Sequence, residues 1–209
     1  KEYKQLHGAI VEKLRKALQT DDDIFLVGGS ATVMIEGAVR NGVSDRCLGI
    51  SNGSFGDRFI ECGKLNGKTV DEVHVPWGKA MKPSDIEGKV TKDTEAVCWV
   101  SNESSTGVLS DSVALAEEVR KQNPDALIMV DAVTSAMATD LNLPKMQPDA
   151  LLFGTQKALA LPPGLAIAVI SDRILEKSKN VKNKGFYTDF AKLKKNADEN
   201  YALTTPPVS

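Results

Sequence analysis

The sequence predicts an α/β fold of three layers, in which helices cover both faces of a mostly parallel sheet that contains one antiparallel strand. Three observations carry this expectation. Short apolar runs recur along the 209 residues, at 24–27, 47–50, 70–75, 96–100, 126–130, 150–153 and 165–171. Helical patterns separate many of them, so the connections read as crossovers and the strands as parallel. The last pair is the exception, because only eleven residues separate Phe153 from Leu165 and they include Pro162-Pro163-Gly164. A parallel crossover takes about a dozen residues or more, usually helical, and the prolines forbid a helix there. The final strand is therefore expected to run antiparallel.

In chain order, Leu6, Ile10, Leu14 and Leu18 outline an opening helix that starts with no capping residue before it. The run 24–27 passes through Gly28-Gly29 into a helical pattern over 31–41. A second helical pattern, 110–122, lies between the runs 96–100 and 126–130. After residue 172 the composition turns basic, and 177–195 reads as exposed helices and a connector. Residues 1–180 are expected to form a large ligand-binding domain and 181–209 a connector. Both ends read as cut, so the chain is expected to be a fragment of a longer one.

Composition narrows the classes of function. Hydrophobic residues make up 42%, enough for a core, and 26 basic against 28 acidic residues leave no electrostatic footprint for nucleic acid. No apolar run approaches the roughly 20 residues that span a bilayer, and no signal peptide opens the chain. Cys47, Cys62 and Cys98 form no metal-ligand pattern and read as buried, reduced thiols of a cytoplasmic protein. With His7 and His74 the only histidines, a histidine-based metal site or hydrolase triad has little support.

The candidate chemistry sits in loops that follow the apolar runs. Lys157 lies just past the run 150–153, between Gly154 and Pro162-Pro163-Gly164. A lysine desolvated in such a loop can attack a carbonyl and form an imine, although most loop lysines simply reach into solvent. Gly28-Gly29-Ser30-Ala31-Thr32 leads from a strand into a helix. Its free N–H groups and hydroxyls suit a small phosphate, or Ser30 is an ordinary helix cap. It has neither the ending of a nucleotide P-loop nor dinucleotide glycine spacing. Asp131 ends the run 126–130, where a carboxylate calls for a cationic partner such as a protonated ring nitrogen, or caps the segment 132–137. Phe55, among the small residues of 51–58, can stack on a flat ring or pack down its helix. The hydroxyls and amide of 101–107, Ser104 among them, can bind a ligand's polar groups or cap the helix near Asp111. All five loops fall on one edge of the expected sheet.

Taken together, these blocks resemble the class V aminotransferases of the type I pyridoxal-phosphate fold, nearest the serine/alanine-glyoxylate branch. The matching residues are Gly29-Ser30-Ala31-Thr32 with Glu36, Asn52-Gly53 with Gly56 and Arg58, 102–108, Val130-Asp131-Ala132-Val133, and Gln156-Lys157-Ala158-Leu159 with Pro162-Pro163-Gly164. Ala31 stands where the family usually has glycine. The resemblance implies pyridoxal 5′-phosphate as cofactor, with Lys157 forming the Schiff base and Asp131 holding the ring nitrogen protonated. It places Gln156, Ser30, Ala31 and Thr32 at the phosphate, Ser104 near the ring oxygen and Phe55 on the ring. Thr205 matches a position that reaches the phosphate of a neighbouring subunit, which implies a homodimer with shared active sites. The implied substrates are a small amino acid, serine or alanine, and a 2-oxo acid such as glyoxylate or pyruvate. It also implies a missing N-terminal arm and a missing C-terminal small domain that supplies the arginine for the substrate carboxylate.

Rival readings stay close by. A phosphoserine aminotransferase needs extra cations, for which Arg40, Arg46 and Arg58 are available. A desulfurase or other lyase of this class would show histidine at Gln156 and a mobile catalytic cysteine. A non-catalytic scaffold would have no need of Lys157 and Asp131.

Overall fold

In a computed structural model, which describes residues 1–207, the chain forms a seven-stranded sheet between two layers of helices. Val208 and Ser209, the last residues of the expected connector, lie outside the described residues. The order is α1 (Glu2–Leu18), β1 (Asp23–Gly28), α2 (Ala31–Gly42), β2 (Arg46–Ser51), α3 (Ser54–Leu65), β3 (Thr69–His74) and the short α4 (Pro83–Ile86). Then come β4 (Ala96–Val100), a small hairpin of β5 (Asn102–Glu103) and β6 (Val108–Leu109), and α5 (Ser112–Gln122). The chain continues through β7 (Leu127–Asp131), short α6 (Leu143–Met146), β8 (Ala150–Gly154), β9 (Leu165–Ile170), α7 (Asp172–Ser178) and α8 (Phe190–Asp198).

Across the sheet the strands run β1-β9-β8-β7-β4-β2-β3. The antiparallel strand expected after the Pro-Pro-Gly turn is β9, inserted between β1 and β8 and antiparallel to both. Its register pairs Gly28 with Leu165 and Gly154 with Ala166. The other strands run parallel, so Gly28, Ser51, Val100, Asp131 and Gly154 all end on one edge.

Alternation along the strands divides the core. Ile128 and Val130 face a layer that includes α1 and α5, while Leu127 and Met129 face α2, α7 and α8. On the second face Ala150, Ala166 and Ala168 are small, which leaves room for α2 to lie close to β8 and β9.

Two details differ from the sequence reading. In α1 the buried stripe is His7, Leu14 and Leu18, whereas Leu6 and Ile10 are 55% and 38% exposed. The helix turns its more N-terminal leucine outward because His7, its ring tilted against that of Tyr3 at 6.0 Å between centroids, takes the inward position. The segment 177–195 is not wholly exposed either. Phe190 is fully buried and meets Phe25 edge-on at 5.6 Å between centroids. Together with Leu193 and Ala197 it forms an apolar stripe at helical spacing that the surrounding lysines obscure.

Candidate active site

The shared strand edge opens into a cavity of about 220 Å³. Its lining brings together Ser30, Ala31, Thr32, Phe55, Ser104, Asp131, Gln156 and Lys157. Thr205, the remaining residue expected at the site, is exposed, lies outside this lining and follows the bond from Thr204 Oγ1 to the Tyr187 hydroxyl (3.4 Å). Tyr187 in turn donates to the Gly28 carbonyl at the end of β1.

The turn into α2 owes its shape to Gly29, whose φ of +135° is strained for any side chain. Its N–H donates to the Gly164 carbonyl at 2.8 Å, tying this turn to the Pro-Pro-Gly loop. Ser30 occupies the N-cap position of α2, yet its hydroxyl makes no capping bond, and the first turn carries no acidic residue. The ordinary-cap alternative therefore fails on geometry. The exposed hydroxyls of Ser30 and Thr32 and the first N–H groups remain available for an anion.

The Lys157 loop is held by its own backbone. Thr155 Oγ1 donates to the Pro162 carbonyl at 2.8 Å, and the Leu161 N–H donates to the Thr155 carbonyl at 3.1 Å. Ala160 adopts φ +53° to close the turn. Lys157 itself is exposed at the cavity rim, so the loop fixes it without desolvating it. The expected desolvation has no source in these loop residues.

Asp131 forms the deepest charged group of the lining, 4% exposed. Its Oδ1 accepts the Val133 N–H at 2.9 Å, so it does cap the following turn, while the carboxylate still faces the cavity. Residues 132–137 form turns rather than the helix the capping alternative supposed. Burial pushes the carboxyl up to about 6; the Val133 bond opposes this, the nearby Glu103 charge adds to it and Arg58 opposes it.

Phe55 stands in the first turn of α3 with the Arg58 guanidinium 4.9 Å from its ring centroid. Of the arginines open to a phosphate-bearing substrate, Arg58 alone lines the cavity. Arg40 pairs with Glu36 at 2.8 Å, and Arg46 pairs with Asp71 at 2.8 Å at the opposite end of β2.

Asn102 supplies the amide expected of the 101–107 cluster, whereas Cys62 and Glu103 take places that the sequence does not predict. Asn102 lines the cavity and donates to Thr134 Oγ1 at 2.8 Å, joining the loops after β4 and β7. Cys62, expected to be buried, is half-buried and lines the cavity. Burial and the Glu36 carboxylate push its thiol up to about 11, so it is a poor nucleophile. Glu103 is fully buried directly behind the Phe55 turn, and its place inside the 101–107 hydroxyl cluster was the available signal.

These residues fit pyridoxal phosphate on three observations of the structure. The α2 N-terminus is open to an anion, the aromatic wall can cover a flat ring, and the buried carboxyl at the base lacks a full positive partner.

The fold and site define an open α/β protein built to hold a small phosphorylated ring compound at its strand edge. The aminotransferase class-V family profile matches residues 60–209, and the chain belongs to that family, whose cofactor is pyridoxal phosphate. It is 34% identical, over 100% of its length, to the soluble hydrogenase 42 kDa subunit of Anabaena cylindrica, of which it covers 56%. It is 31% identical to the L-aspartate–glyoxylate aminotransferase of Paracoccus denitrificans over 98% of this chain and 53% of that one. Among solved structures, a phosphoserine aminotransferase from Cytophaga hutchinsonii superimposes with a TM-score of 0.91 at 30% identity, covering 99% of this chain and 57% of the other. The chain thus spans little more than half the length of these proteins. Among the described residues, no helix is long and apolar enough to cross a membrane.

Proposed function

We propose that this chain is the cofactor-binding part of a pyridoxal-phosphate-dependent transaminase. The reaction moves an amino group from a small amino acid, serine or alanine, to a 2-oxo acid such as glyoxylate or pyruvate. The observation that carries this reading is the convergence of Lys157, Asp131 and the open α2 N-terminus on one cavity. The likeness to a glyoxylate aminotransferase supports the acceptor class.

Pyridoxal phosphate, when bound, supplies an aldehyde that condenses with amines and a ring that accepts electrons. The Lys157 amine is the group that would hold that aldehyde and that an incoming amino acid would displace. Once free, it takes the proton from the substrate's α-carbon and later returns one. Asp131, the buried carboxyl of the lining, would hold the ring nitrogen protonated. Phe55 would cover one ring face, Ser104 would meet the ring oxygen, and Ser30, Ala31, Thr32 and Gln156 would hold the phosphate.

A homodimer completes the site in this reading, with Thr205 of each chain reaching the other's phosphate and with Lys157 enclosed from the exposed side. Residues 1–180 are the large domain and 181–209 lead toward a C-terminal small domain that carries the substrate-carboxylate arginine. The three free cysteines suit a cytoplasmic protein.

A phosphoserine aminotransferase is the second reading, favoured by the structural likeness to such an enzyme and by Arg58 at the cavity. The assay uses the chain extended through the small domain, loaded with cofactor. Glycine formed from glyoxylate with serine or alanine, and lost in Lys157→Ala, is the expected result. Turnover with phosphoserine and none with serine or alanine would transfer the assignment to the second reading.

A further inference from the structure

Gly53, at the N-cap of α3, has no side chain with which to cap the helix. The first N–H groups of α3 are satisfied from another loop. Ser54 N–H donates to Ser105 Oγ at 3.0 Å, and Phe55 and Gly56 N–H donate to Glu103 Oε2 at 3.0 and 2.9 Å. Glu103 Oε1 accepts the Ser105 N–H at 3.1 Å and the Ser105 hydroxyl at 2.6 Å. One fully buried carboxylate therefore accepts four hydrogen bonds from two loops.

Such a group is costly to bury unless every acceptor site is used, and its charge is stabilised at a helix N-terminus. A Cβ on Gly53 would run into the Glu103 side chain, so the glycine is shaped to admit it. The two loops clasped in this way carry Phe55 on one side and Ser104 on the other, both lining the cavity.

We propose that Glu103 is a positioning residue, whose carboxylate clasps the α3 N-terminus to the loop after β4 and so fixes the Phe55 ring and Ser104 at the spacing a flat cofactor ring requires. The inference rests on the pyridoxal-phosphate reading above. Glutamine cannot replace the carboxylate, because its amide NH₂ would face either the Phe55 and Gly56 N–H groups or the Ser105 N–H.

The test is a double-mutant cycle on cofactor dissociation constants, with Glu103→Gln and Phe55→Leu made singly and together in the whole chain. Glu103→Gln should weaken pyridoxal phosphate binding roughly tenfold with Phe55 present and less than about twofold once Phe55 is leucine. A purely structural role would lower the melting temperature alike in both backgrounds and leave the two effects on affinity additive, which overturns the proposal. Should Glu103→Gln not fold, Ser105→Ala, which removes the 2.6 Å bond and the Ser54 contact, should show the same coupling to Phe55 at smaller size. Additivity there overturns the proposal as well. The parent protein separates the two ideas. If it forms no borohydride-trappable adduct at Lys157, the cofactor reading itself fails; if it does and the cycle is additive, only the role of Glu103 fails.

Discussion

Asp131 carries a burial cost in the ligand-free protein that its proposed role beside a ring nitrogen would offset. Its carboxyl is raised from 3.8 to about 6, chiefly by burial. A raised acid stabilises the fold below its unfolded value and loses that contribution as pH climbs through the folded one. The ligand-free protein should therefore lose up to about 3 kcal/mol between pH 4 and pH 7 at this group. Asp131→Asn keeps the Val133 contact and removes the charge. It should match the parent at pH 4 and exceed it by up to about 3 kcal/mol at pH 7, as measured by denaturant melts without cofactor. With cofactor the order reverses, because the amide offers no charge to a protonated ring nitrogen, and transamination slows by orders of magnitude. Equal stability at both pH values would show that the carboxyl carries no burial cost. This conflict was partly legible in the sequence, since an aspartate ending the apolar run Leu127-Ile128-Met129-Val130 must find a partner. Glu103 was legible only as a member of the 101–107 cluster; its partners are backbone N–H groups some 47 residues earlier, which no side-chain pattern records.

At the scale of elements, helix placement depends on a few close approaches. Gly56 in α3 lies against β2, where an added Cβ would sit 2.8 Å from the Ser51 Cα and 2.7 Å from its Oγ. Backbone cannot step aside as a side-chain tip can, so Gly56→Ala should cost about 1–3 kcal/mol of stability and tilt Phe55 away from the cavity. Thermal melts and cofactor affinity should fall together; unchanged affinity would mean that α3 does not transmit its position to Phe55. The parallel strands and the antiparallel β9 were readable because burial on both faces leaves continuous apolar runs, and because eleven residues with two prolines cannot form a crossover. The β5–β6 hairpin was read as a loop, since each strand spans only two residues and leaves no periodicity. The burial of α8 through Phe190 was masked by the lysines on its other face.

Across the whole molecule, the topology delivers the ends of six strands to one edge, and β9 turns the chain back immediately after the lysine. The bond from Gly29 to Gly164 then couples the turn into α2 to the lysine loop, although more than a hundred residues separate them in the chain. These connections place an exposed lysine beside an open helix N-terminus and above a buried carboxyl. In the proposed function, Lys157 is the residue that bonds the cofactor, and this assignment underlies the rest. It is tested most directly by adding pyridoxal phosphate, reducing with borohydride and mapping the modified peptide by mass spectrometry. The account predicts one phosphopyridoxyl group per chain, on Lys157, and none at that peptide in Lys157→Ala. Labelling scattered over surface lysines, undiminished in Lys157→Ala, would contradict it.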